Sequence, residues 1–182
     1  MPWTDPKSWA DGDQVTAALM NTYARDNMKM YGGSDRPSVY VIQNATTSVN
    51  SGLLAGTNAL FGFEFWDYGN FHSTSSNTDR LTVPSGMSGY YAIAGGVTWA
   101  ANITGIRSIG LNQSNRTSGC GVGKLAVSTA GQTTRLSASY VSWLDDSEYV
   151  TMGLTQTSGG ALTTSGTETT WLSMIWLGRS LY

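Results

Sequence analysis

The chain has 182 residues and a net charge of −2, from ten Lys and Arg against twelve Asp and Glu. Ser (22), Thr (23) and Gly (22) dominate it, and only 12% is charged, about half of average globular usage. This balance excludes an electrostatic footprint for nucleic acid, and no stretch approaches the ~20 apolar residues of a membrane helix. Seven Trp, nine Tyr and four Phe argue against disorder, which depletes aromatics. The length suits one domain with a small appendage. Thr, Tyr, Trp and Val favour strands and Gly, Asn and Ser favour turns, so the composition reads as all-β.

Taken in order, the chain opens on an irregular arm with Trp3, Pro6 and Trp9. Met1-Pro2-Trp3-Thr4-Asp5 lacks a charged-then-apolar leader, so no signal peptide is expected. A helical pattern follows over Thr16–Met30, with Asp13 or Thr16 as N-cap and Gly32-Gly33 as the left-handed stop. Val15, Leu19, Thr22 and Tyr23 share one face of it. About four turns of helix are marginal alone in water. The helix must pack on its own domain, on a partner, or on copies of itself.

After Gly33 the signals are those of strands. Val39–Gln43 is a short β run, and a polar stretch leads to Asn58. In Leu60–Trp66, Phe61, Phe63 and Phe65 alternate onto one face. Further strands are expected at Arg80–Val83, Gly89–Ala100, Gly105–Leu111, Val122–Val127, Thr133–Leu144, Glu148–Thr155 and Thr170–Leu177. Turn clusters separate them, and no internal repeat is found, so a sandwich or jelly roll is favoured over a propeller or β-helix. In the last strand both faces are largely apolar: Trp171, Ser173, Ile175 and Leu177 oppose Leu172, Met174 and Trp176. Such a strand needs cover on both sides, and a partner subunit is the simplest source of the second cover.

The order of motifs resembles the complement component q globular head. Leu81-Thr82-Val83-Pro84 followed by Gly89-Tyr90-Tyr91-Ala92-Ile93 is similar to that family's strand ending in Pro and its Gly-x-Tyr inner strand. Leu144–Val150 looks like its Leu-x-x-Gly-Asp-x-Val turn, with Ser147-Glu148 in place of Gly-Asp, and Trp171–Gly178 like its closing aromatic strand. The likeness spans about residues 38–178. A second resemblance is to tailed-bacteriophage virion proteins. It rests on Trp3–Ala18, Asn21 and Arg25-Asp26-Asn27, and on Asn70–Leu81 and Val97–Asn102. The resemblance implies a homotrimeric, TNF-like jelly roll in a tail fibre, tail tip or head fibre, preceded by an arm and one α-helix.

Candidate chemistry is sparse. His72, the single histidine, reads as a loop residue, because nothing nearby announces an acid partner or an oxyanion hole. Glu64 and Asp67 are three apart on a strand, which places them on opposite faces and disfavours a glycosidase pair. Asp145, Asp146 and Glu148 form an acidic turn that reads as a solvated hairpin rather than a calcium loop. The lone Cys120 excludes an intramolecular disulfide framework and reads as a small residue in a Gly-rich turn or strand. Asn44, Asn102, Asn112 and Asn115 begin Asn-X-Ser/Thr triplets that chance explains. No cofactor, no metal and no enzymatic activity are expected.

The sequence reading is therefore a non-enzymatic phage structural or adhesive protein on the virion exterior, assembled in the host cytoplasm. Residues 1–33 are assigned to attachment and alignment, with Trp3 and Trp9 for docking to other virion proteins. Residues 34–182 are assigned to the jelly roll. Leu19 and Tyr23 on the helix face are expected trimer contacts, and by analogy with the family so are Tyr91 (or its neighbour Tyr90), Tyr140, Trp171 and Trp176. Ser73, Asn77, Asn112, Asn115 and Ser158 mark candidate loops for a host-surface glycan or protein. Two alternatives stay open: a capsid decoration or head-fibre protein, and a glycan-cleaving tail enzyme.

Overall fold

The computed structural model describes residues 7–32, 36–116, 121–126, 132–165 and 169–179. Trp3 and Cys120 lie outside the described residues.

Thr16 is the N-cap of the helical segment: its hydroxyl accepts from the Leu19 N–H at 3.2 Å. Helix α1 (Ala17–Met20) passes into a π-helical stretch (Asn21–Asp26) and then α2 (Asn27–Gly32). Asp13, the other expected cap, instead holds the arm: it accepts from the Ala10 N–H and pairs with Lys7 at 2.9 Å. Val15, Met20 and Met28 are exposed, and Leu19 and Tyr23 are half-buried. The apolar side of this segment therefore lacks cover within the described chain.

The strands are β1 (Ser38–Ile42), β2 (Ser48–Val49), β3 (Gly52–Asn58), β4 (Phe63–Tyr68), β5 (Arg80–Thr82) and β6 (Gly89–Trp99). They continue as β7 (Ile106–Gln113), β8 (Gly121–Ala126), β9 (Thr134–Leu144), β10 (Tyr149–Gln156), β11 (Leu162–Thr163) and β12 (Trp171–Gly178). A five-stranded sheet runs β4-β1-β12-β6-β9, a four-stranded one β5-β10-β7-β8, and a short one pairs β11 with β2. All these pairings are antiparallel. The first strand lies beside the last, so the chain closes on itself in the crossover order of a jelly roll.

Side chains from the two large sheets fill the space between them, including Val39, Val41, Ile93, Ile109, Leu111, Met152, Leu172 and Met174. Period-two alternation drives this: β12 turns Leu172, Met174 and Trp176 inward and leaves Trp171, Ser173 and Ile175 outward. Each buried Leu, Ile or Met contributes about 1.5–3 kcal/mol relative to exposure. At one end the core turns polar. Thr164 Oγ1 donates to Gln43 Oε1 at 2.7 Å and accepts from the Thr47 N–H at 2.8 Å, and Gln156 Nε2 donates to the Val49 and Gly160 carbonyls. Arg107 is fully buried there, and its guanidinium donates to the carbonyls of Thr104, Ile106 and Asn102. Burial without a carboxylate lowers its pKa.

Two sequence expectations change. The polar stretch before Asn58 contains strands β2 and β3, which strand propensity did not reveal because Ser, Asn and Gly fill it. The Phe61–Phe65 alternation also breaks. Phe61 is fully buried ahead of β4, its N–H bonded to the Thr78 carbonyl at 2.8 Å, whereas Phe63 and Phe65 are exposed. A register shift between Tyr40 and Val41 accompanies this, as a β-bulge in the edge strand does.

Candidate functional site: an aromatic ridge beside a small-residue floor

The outward face of the five-stranded sheet is laid out in rows by the register. Ile175, Ala92 and Val141 form one row; Ser173, Ala94 and Ser139 the next; Trp171, Gly96 and Ser137 a third. Small side chains thus floor the middle of the face. Along one side stands an aromatic ridge. Phe63, Phe65, Trp66 and Tyr68 of β4 are each between 41% and 55% exposed. Tyr40 stacks on Trp66 with ring centroids 5.0 Å apart and on Trp171 at 5.7 Å, which joins three strands into one aromatic plate. Burial at this stack raises the Tyr40 pKa. On the far side Tyr90 meets Trp143 edge-on at 5.3 Å, and Val141 is 55% exposed. An apolar face of this kind marks a surface built to be covered.

The two large sheets, their strand order and the partnership of first and last strands decide the fold. This is a TNF-like jelly roll. Among solved structures, the TNF-like jelly roll here is similar to Eiger TNF from S. frugiperda, with a TM-score of 0.59 at 12% identity over 81% of this chain and 97% of that one. It is likewise similar to the globular domain of zebrafish complement 1qA, at 0.57 and 13%, covering 80% of this chain and 100% of that one. Murine APRIL at pH 5.0 gives 0.57 and 12%, over 78% and 98%. No protein-family model and no curated protein matches the sequence.

The expected contact residues divide. Tyr91 and Trp176 are covered inside the sandwich, at 0% and 1% exposure, so neither has area left for a second chain. Tyr91 donates to the Met87 carbonyl at 2.6 Å, and burial raises its pKa. Tyr140 also turns inward, packing against the core. The reason is parity, since one step along β6, β9 or β12 exchanges faces. Tyr90, Val141, Trp143 and Ile175 take the outward positions instead. Trp171 does lie on the outward face. In the arm, Trp9 is 44% exposed with Lys7 Nζ over its ring at 4.4 Å.

The loop residues do not gather into one surface. Asn112 belongs to strand β7 and leans over Gly153, so it is no loop residue. Asn115 is exposed beyond the Gln113 end of β7, where the Ser114 N–H bonds the Tyr149 carbonyl. Ser158 sits beyond the opposite end, where the Thr157 N–H bonds the Ile106 carbonyl. The length of β7 separates the two. Ser73 holds its own loop by bonding Ser75 and Ser76, and exposed Asn77 takes a positive φ of 51°.

The titratable clusters are internal braces. His72 lies in the loop after β4, as expected, but its side chain is buried and has an acid partner: Nδ1 contacts Glu64 Oε1 at 2.8 Å, and Nε2 faces the Thr78 carbonyl at 3.4 Å. Because of the bulge, Glu64 pairs with Val41 and Asp67 with Val39, which puts both carboxylates on the sandwich side, not on opposite faces. Asp67 accepts from the Phe71 and His72 N–H groups, and burial raises its pKa. In the acidic turn, Asp146 accepts from the N–H groups of Gly86, Met87 and Ser88 and from the Ser88 hydroxyl. Asp145 accepts from Trp143 Nε1, and Glu148 from the Asp145 N–H. These carboxylates are spent on the turn itself.

Proposed function

We propose that the chain is a self-associating, trimeric binding module on the exterior of a phage virion. The observation that carries this is the uncovered aromatic ridge of β4 beside a floor of Ala92, Ala94, Ser139 and Ser173. A ridge and a hollow on one chain are complementary between copies but not to themselves. Such a heterologous contact closes into a ring when the rotation per copy allows it. Phe63, Phe65, Trp66 and Tyr68 and the floor of Ala92, Ala94, Ser139 and Ser173 are uncharged, which favours their burial, as interface cores are depleted in charge. The likeness to TNF and complement folds supports the trimer, and the N-terminal likeness to phage virion proteins supports the location. The exposed apolar residues Val15, Met20 and Met28 would align three helices above the sandwich, and the arm would dock to the particle.

In this reading the module presents its loops in three copies, so weak contacts with a host surface gain avidity. Light scattering on the eluting protein tests the assembly: the trimer weighs about 58 kDa against 19.4 kDa for one chain. A monomer at micromolar concentration overturns it. Gold-labelled antibody on intact particles tests the location, and label absent from the virion overturns that part.

A further inference from the structure

At the Trp171 end of the same face a groove of about 390 Å³ opens between the sheet and the segment at Thr169. Its lining differs from the ridge. Tyr40 and Trp171 supply a stacked aromatic wall, Gly96 and Val97 the floor, and Arg135 and Ser137 of β9 the opposite side. The Trp171 ring lies against Gly96, which has no side chain to lift it, so a flat surface is held in place. Arg135 is exposed and, among the described residues, makes no ion pair or hydrogen bond. The Tyr40 hydroxyl, the Trp171 indole N–H and the Ser137 hydroxyl likewise have no hydrogen-bond partner among the described residues.

We propose that this groove binds a carboxylated sugar ring. A groove of about 390 Å³ falls within the range of small-molecule sites. A pyranose has an apolar face that lies on an aromatic plate and hydroxyls that bond edge donors. The guanidinium supplies a bidentate fork for a carboxylate, a geometry a neutral sugar does not use. The convergence of one cation, three unpartnered polar groups and a pre-set ring wall selects an acidic saccharide over a neutral one. The groove lies at the Gly96 end of the floor and borders the ridge at Phe63, which the register places level with Ile42 and Trp171, whereas Tyr68, Ile175, Tyr90 and Trp143 lie toward the Ser38 and Gly178 end. The site deepens the display reading and rests on it only for the source of the glycan.

The test is titration of the full chain, by calorimetry, with sialyllactose and with a galacturonic acid trimer, each beside its carboxyl-reduced form. The expected result is at least about tenfold tighter binding of one carboxylated sugar than of its reduced counterpart. Which of the two binds identifies the source. Arg135→Ala, an exposed strand position, should erase that preference, Arg135→Lys should keep part of it, and Trp171→Phe should weaken both forms together. Equal affinity for reduced and carboxylated sugars, an unaltered preference in Arg135→Ala, or no binding of either acid at millimolar concentration overturns the proposal. Light scattering on the same samples reads assembly separately, so loss of the trimer and loss of the sugar site are distinguishable outcomes.

Discussion

Trp171 lies across Gly96 so closely that a Cβ on the glycine would come within 2.6 Å of the indole Nε1. The two are register partners on β12 and β6, and Gly95 next door faces the other way, toward Leu111 and Met152. Two adjacent glycines thus serve opposite faces of one strand: one lets the core close, the other lets the aromatic plate lie flat.

Gly96→Ala should displace Trp171 from the plate. Overpacking of this kind costs about 1–3 kcal/mol. The urea midpoint should fall and the near-ultraviolet circular dichroism of the stacked rings should weaken. An unchanged spectrum would show that the indole stands clear of the floor.

The ridge makes a separate prediction. Trp66 is 41% exposed and Phe65 54%, so charge at either position should be tolerated by a single chain. Phe65→Glu with Trp66→Glu should lower the mass in solution to 19.4 kDa while leaving the far-ultraviolet spectrum intact. Retention of the assembled mass would place the contact elsewhere.

Asp146 predicts acid behaviour. Its bonds to the Gly86 N–H, first, and to Ser88 and Met87 hold its pKa below the ordinary 3.8. The folded state then binds this proton more weakly than the unfolded one. The resulting stability is full above the ordinary value and is lost as pH falls through the depressed one. Asp146→Asn should lower stability near neutrality slightly, because solvent screens this exposed group, and should flatten the pH dependence below about pH 4. Parallel acid-unfolding curves for both proteins would rule this brace out.

The His72 brace should be visible by hydrogen exchange. His72 ties Glu64 of β4 to the Thr78 carbonyl, and Thr78 in turn accepts from the Phe61 N–H. His72→Ala should cost about 2 kcal/mol through a cavity and lost bonds. Exchange should rise at Phe61 while Met174 in the central β12 keeps its protection. Equal loss at both sites would mean that the brace is not local.

Much of the architecture was legible in the chain. The alternation in β12 separated its two faces, because side-chain period in a strand is local and two residues long. Thr16 announced the helix start because a cap needs only one hydroxyl beside the first turn. Three expected contacts, Tyr91, Tyr140 and Trp176, went to the wrong face. Alternation separates the two faces of a strand but does not say which one turns inward, and in β12 both faces are apolar, so hydrophobicity alone carried no parity there. Strand β2 stayed hidden because its pairing depends on a partner more than a hundred residues away, Val49 with Leu162.

By itself, then, the sequence determined an all-β chain of low charge whose closing strand is apolar on two faces. Short-range pattern and composition suffice for that. Only the tertiary structure decided that Glu64 and Asp67 share a side, that His72 is buried, and that Tyr40, Trp66 and Trp171 meet as one plate. Those outcomes depend on a one-residue bulge and on the order β4-β1-β12, and both are set by pairing between distant segments. The same holds for the groove. Tyr40, Gly96, Arg135 and Trp171 come from four separate strands, and nothing in their local sequence says that they face one another.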